Sequence, residues 1–275
     1  MKKLMFAAAA IAAGVAMADV TSANIVGYQN KTARGVGFNY NCNTFVPCDG
    51  EKDEMTLKDI VPGETFISGG SSIQFLTLEG STQKVKFGNK NVSEVYKWLT
   101  APETETGIAG WYLSKDEDGT ELKNSRKVPF GDSYCVDAQD EDAAMTFSGV
   151  VQKEVAKIAE NVGFNYFGNC APAKIKLGDI VPNETCIGGG SSIQFLTLEG
   201  STQKVKFGNK NVSEVYKWLT APETETGIAG WYLSKDEDGT ELKNSREIEA
   251  GDAFCFDAQD EGAGIEIPDP LKLGE

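Results

Sequence analysis

The side chains best suited to chemistry in this chain are aromatic and acidic, and each set occurs twice. Tyr96, Trp98, Trp111 and Tyr112 recur as Tyr216, Trp218, Trp231 and Tyr232, at an offset of 120 residues. In a secreted β-protein such a group can bind sugar, because an exposed indole or phenol face accepts the C–H edge of a pyranose ring. Large aromatic residues also fill sandwich cores, and that is their commoner use. The acidic set is the turn SKDEDG at Ser114–Gly119 and its copy at Ser234–Gly239. Asp116, Asp118, Asp236 and Asp238 place oxygen donors at the spacing of part of a calcium loop. Ser114 and Ser125 stand where that loop needs carboxylates. The segment therefore predicts a hairpin turn, with weak Ca2+ binding the most it would support. A second acidic cluster runs from Asp137 to Asp142.

What is missing excludes more. The chain holds no histidine, so it has no Ser-His-Asp or Cys-His nucleophile, no imidazole base and no histidine-ligated zinc or copper. Carboxylate pairs remain, and glycoside hydrolysis needs only two. With 41 acidic residues, no pair stands out, and a glycosidase is the minor catalytic reading of a chain that otherwise reads as non-enzymatic.

The six cysteines are Cys42, Cys48, Cys135, Cys170, Cys186 and Cys255. An even number in an exported chain reads as potential disulfides, with about 15 pairings open. Cys42–Cys48 and Cys170–Cys186 are the expected local links. None of the spacings is the CxxC of a redox or zinc site.

The elements that must position these residues come from duplication. Gly69–Arg126 recurs letter for letter as Gly189–Arg246. Upstream, GFNY at Gly37–Tyr40 matches GFNY at Gly163–Tyr166 at an offset of 126, which places a six-residue insertion in the first copy, near Cys48–Met55. Insertions of that acidic kind sit in surface loops. Within the block, SIQFLTL and QKVKF predict strands around an EGST hairpin, and GWYLS and TELK flank the acidic turn. VSEVYKWL fits either a short helix capped by Ser93, with Val95, Trp98 and Leu99 on one stripe, or a strand with Tyr96 and Trp98 on one face, and its strand neighbours favour the strand. In TLKDIVPGETF and KLGDIVPNETC the proline marks a turn after one helical turn. Near the end of each unit, Tyr134 and Val136 become Phe254 and Phe256. Apolar character persists at alternate positions while identity changes, as in a strand with one core face, and Cys135 and Cys255 then point to the other face. No Gly/Pro/Ser linker separates the copies, which predicts units that pack closely or share sheet edges. The fold class is all-β: two tandem, near-identical β-sandwich or open-barrel domains of many short strands.

The N-terminus reads as a signal peptide. Lys2 and Lys3 precede an apolar run to Val15, and Ala16-Met17-Ala18 fits the cleavage rule. The organisation is then signal peptide 1–18, lead-in strand 19–34, first β-domain 35–153 and second β-domain 154–275. Loss of Lys2 and Lys3 takes the net charge from −15 to −17. Such a surface repels phosphate backbones and anionic lipid, so nucleic acid is not an expected partner. No apolar segment is long enough for a membrane span.

The segment SANIVGYQNKT at Ser22–Thr32, followed by GFNY, IVPG, GWY and GDSYCV in that order, resembles a set of uncharacterised exported bacterial proteins. The resemblance runs over most of the mature length, through Gly131, Tyr134, Val136 and the Thr146–Gly149 run. It implies secretion and a repeated β-domain, and it transfers no catalytic residue. The whole reads as a non-catalytic structural or adhesive protein of the periplasm, cell surface or extracellular space. Its expected partners are itself or cell-surface components. The alternative is a carbohydrate-binding module protein with one aromatic polysaccharide site per repeat.

Overall fold

Short alternating runs such as SIQF, EVYKWL and SYCVDA set apolar side chains on one face of an extended backbone and pair into antiparallel ladders. The computed structural model describes residues 26–48, 54–75, 94–114, 121–151, 156–159, 162–171, 173–195, 214–234 and 241–268. The first unit holds β1 (Val26–Thr32), β2 (Gly37–Cys42), β3 (Phe45–Val46), β4 (Met55–Thr56), β5 (Val61–Pro62), β6 (Ser72–Phe75), β7 (Glu94–Leu99), β8 (Gly110–Leu113), β9 (Lys127–Val128), β10 (Ser133–Ala138) and β11 (Ala144–Val151). The second holds β12 (Ala156–Ile158), β13 (Gly163–Gly168), β14 (Ile175–Lys176), β15 (Val181–Pro182), β16 (Ser192–Phe195), β17 (Glu214–Leu219), β18 (Gly230–Leu233), β19 (Glu247–Ile248), β20 (Ala253–Ala258) and β21 (Gly264–Glu266). Among the described residues each unit carries one short helix, α1 (Glu64–Ser68) and α2 (Glu184–Gly189).

In the first unit β2, β10, β6, β7 and β8 lie side by side in one sheet, and β1, β3 and β5 pair with β11 in another. The second unit repeats the plan with β13, β20, β16, β17 and β18, and with β12 and β15 on β21. None of these sheets closes into a barrel, and the arrangement is that of β-sandwiches. Tyr134 and Val136 on β10 and Phe75 on β6 bury one face of the larger sheet in a cluster with Met145 and Phe147 of β11. The rings of Tyr134 and Phe147 join the two sheets at a centroid separation of 6.1 Å.

Several details differ from the sequence reading. The lead-in strand does more than feed the first unit: β1 pairs along its whole length with β11, the closing strand of the same unit. β12 holds the matching register on β21, so β1 belongs to the first unit as β12 belongs to the second. Both edges of β6 are taken, by β10 and β7, so Ser72–Phe75 cannot be one arm of the EGST hairpin. The rest of that hairpin lies outside the described residues. Ahead of the insertion, where Cys48 is exposed, a strand that the sequence reading did not name, β3, pairs with β11 and buries Phe45 in the core where the second unit has Ala171. The helical turn before each proline is present, at Leu57–Asp59 and Leu177–Asp179, and the proline itself sits in β5 or β15.

Candidate functional site

Trp111 is fully buried, and its indole N–H donates to the Ile60 carbonyl at 3.1 Å. Trp231 does the same to Ile180 at 2.9 Å. Trp98 and Trp111 are direct cross-strand partners on β7 and β8, as are Trp218 and Trp231 on β17 and β18. Partners in register share a face of the sheet, and here that face is turned to the core. The rings meet edge-on at 5.6 Å in both units. Tyr96 and Tyr216 lie two residues before Trp98 and Trp218, on the same face, and are buried. Tyr112 and Tyr232 point to the other face but are sealed by the preceding loop, each donating its hydroxyl to Ile108 or Ile228 at 2.8 Å.

The predicted stacking platform therefore does not form on Tyr96, Trp111, Tyr112, Tyr216, Trp231 or Tyr232. Their polar atoms are spent inside the fold, and their faces meet protein. Trp98 and Trp218 alone keep partial exposure. Asp116, Asp118, Asp236 and Asp238 lie outside the described residues. Among the described residues no three acidic or sulfur side chains gather as a metal centre would require.

The cysteines stand as thiols, none in a disulfide. This overturns both expected local links. Cys48 is exposed in the connection after β3, whereas Cys42 is buried where β2 meets the second unit. Cys170 turns its sulfur toward the Gly168 carbonyl, and Cys186 is buried on α2. Burial pushes the Cys186 thiol up to about 11 and holds Cys135 and Cys255 well above the ordinary thiol range.

The sequence predicts units that pack closely, but it does not single out the residues that form their junction. Phe38, Tyr40 and Cys42 alternate on β2, and with Cys135 on β10 they share one buried cluster with Phe167, Phe254 and Cys255 of the second unit. β10 is thus covered on both faces, Tyr134 and Val136 by its own core and Cys135 by the neighbouring unit. Hydrogen bonds cross the same surface. Cys42 N–H donates to Gly251 O at 2.9 Å, and the Ser133 hydroxyl donates to Phe167 O at 3.0 Å. Lys31 pairs with Asp252 at 2.8 Å, both only 14% exposed, and also donates to Ala250 O. Arg34 closes on the other oxygen of Asp252. Beside this network a cleft of about 710 Å³ opens, lined by Lys31, Arg34 and Tyr40 from one unit and Phe195, Arg246 and Asp252 from the other. The Arg246 guanidinium lies 3.4 Å over the Phe195 ring and grips Glu214 through two N–H groups.

The outer surface shows a different duplication. Ile108 and Ile228 are 51% and 52% exposed at matching places in identical loops. In each loop Thr100 or Thr220 donates both N–H and hydroxyl to the carboxylate of Glu103 or Glu223, which lowers the pKa of that acid. Thr104 or Thr224 then accepts the N–H of the exposed isoleucine at 3.1 Å. Val61 and Val181 form a second matching exposed pair. In comparisons with known proteins, no family model, no curated protein and no solved structure matches the chain.

Proposed function

We propose that this chain is a non-catalytic exported protein with a structural or adhesive role at the cell surface or in the extracellular space. The observation that carries this reading is the duplicated loop, which presents Ile108 and Ile228 outward on a braced backbone. An apolar side chain held half exposed in water, twice in one molecule, is suited to weak contact made twice. Two weak contacts on one body bind far more tightly than either alone. Export is supported by the Met1–Ala18 segment and by the resemblance of Ser22–Thr32 to exported proteins. The partners proposed are a second copy of the chain or a cell-surface component. Of its eight candidate aromatics the carbohydrate reading keeps only Trp98 and Trp218 partly exposed, and each is already packed edge-on against a buried neighbour.

The test is a binding screen of residues 19–275 against immobilised chain and a polysaccharide panel. It uses two double variants, Ile108→Asp/Ile228→Asp and Trp98→Ala/Trp218→Ala. Self-association lost in the isoleucine variant and kept in the tryptophan variant supports the proposal. Specific polysaccharide binding lost in the tryptophan variant would replace it with a bivalent sugar-binding protein.

A further inference from the structure

The two units meet through equivalent elements. Gly37 and Gly163 share φ of 103° and the same register against Ala138 and Ala258. At that offset Tyr40 matches Tyr166, and Cys42 matches Gly168. β2 touches β20, and β13, its equivalent, touches β10. Such reciprocity is the mark of an isologous contact, in which one patch meets its own copy across a twofold axis. A residue on that axis meets its own equivalent. Cys42 and Gly168 do so: a Cβ added at Gly168 would lie 2.2 Å from Cys42 Sγ and 2.5 Å from Cys42 Cβ.

The two copies therefore differ at the point where the symmetry would force identical side chains together. Two cysteines would collide there, and two glycines would leave a void. One of each fits. The neighbouring differences follow the same logic, with Ser133 donating across the junction to Phe167 O where the second unit has Ala253.

We infer that the junction is a quasi-twofold pairing surface on which Cys42 and Gly168 select the first unit for the second, so that its partner can equally be the complementary unit of a second copy of this chain. Interfaces of this kind allow exchange of identical elements between molecules. Here exchange joins first units only to second units, giving closed swapped pairs or open rows. The inference stands on the junction and is independent of the loop-based reading above.

The experiment uses the full chain with a protease site inserted between Val151 and Ala156. After cleavage, isotope-labelled and unlabelled preparations are mixed and weighed by native mass spectrometry. The expected result is that the halves stay associated, and that labelled and unlabelled material scrambles only into unlike pairs. Gly168→Ala adds a methyl against Cys42 and should weaken the pairing about ten- to a hundredfold. Cys42→Gly/Gly168→Cys exchanges the two residues across the axis and should restore it. Halves that separate at micromolar concentration would overturn the inference. So would like pairs as abundant as unlike ones, or an exchanged variant that pairs no better than Gly168→Ala. If Gly168→Ala fails to fold, the exchanged variant alone decides, because recovery of folding and pairing together requires the two positions to face each other.

Discussion

Replacing Trp111 by alanine separates a core residue from a ligand platform. The side chain has no exposed surface, sits edge-on to Trp98 and Phe66, and donates its N–H to Ile60 O. Truncating a fully buried aromatic residue to alanine costs about 3–5 kcal/mol, because the transfer energy is lost and a cavity remains. The Ile60 carbonyl loses a donor as well, at about 1–3 kcal/mol if no water reaches it. We expect a loss of about 4–8 kcal/mol in the first unit, comparable with the whole stability of many domains. Trp111→Phe keeps most of the ring and removes the donor, so it should cost about 1–3 kcal/mol. Urea unfolding followed by circular dichroism measures both. The steps are read separately for each unit if they do not coincide, since a two-unit chain need not unfold in one transition. Trp231→Ala should give a comparable loss in the second unit, where the bond to Ile180 and the contact with Trp218 repeat while Cys186 stands in place of Phe66. A Trp111→Ala variant less than about 1 kcal/mol below the parent would refute the reasoning and put that ring back among the candidate binding groups.

Two further predictions rest on the cysteines and tyrosines. Five of the six cysteines are buried and Cys48 is exposed, so a colourless aromatic disulfide reagent should titrate one thiol in the native protein and six in denaturant. Rapid native reaction at more than one thiol would contradict the assigned burial. Stability should fall at alkaline pH. Burial raises the pKa of the Cys135 and Cys255 thiols and the Tyr134 and Tyr166 phenols well above their ordinary values of 9.0 and 10.0. Below those values both states hold the proton and stability is flat. Above them only the unfolded chain releases it, so each group removes about 1.4 kcal/mol per pH unit. Denaturation midpoints from pH 7 to 11 should drop beyond pH 9, and Tyr134→Phe should flatten the slope above pH 10. A midpoint independent of pH over that range would show that these groups reach water.

Much of the fold was legible because it rests on period-two patterns. The exchange of Tyr134 and Val136 for Phe254 and Phe256 marks a core-facing strand face, and β10 and β20 are those strands. VSEVYKWL was legible as a strand only through its strand neighbours, and the face that Tyr96 and Trp98 share on it is also why the aromatic group is no platform. Exposure was not legible, since it depends on which sheet face is covered. The junction left a trace that one-faced reasoning passed over. SYCV and AFCF are apolar at consecutive positions, the pattern of a strand buried on both sides. With its own sandwich covering only one face of β10, the other cover had to come from elsewhere. The cysteine links failed for a related reason: sequence proximity pairs Cys42 with Cys48, whereas the junction turns Cys42 away from it.

The near-identity of the two copies sharpens the meaning of the few differences. Across Gly69–Arg126 and Gly189–Arg246 nothing varies, so that block cannot tell one unit from the other. The distinguishing residues lie on both sides of that block: some are in the units' own cores, such as Phe66 against Cys186 and Phe147 against Ile267, and others are in β2 and β13 and at the start of β10 and β20. Of these, Asn41 against Phe167, Cys42 against Gly168 and Ser133 against Ala253 all fall at or beside the junction. At that junction Cys42 and Gly168 are complementary in volume, which is what a joint that must tell its two sides apart requires.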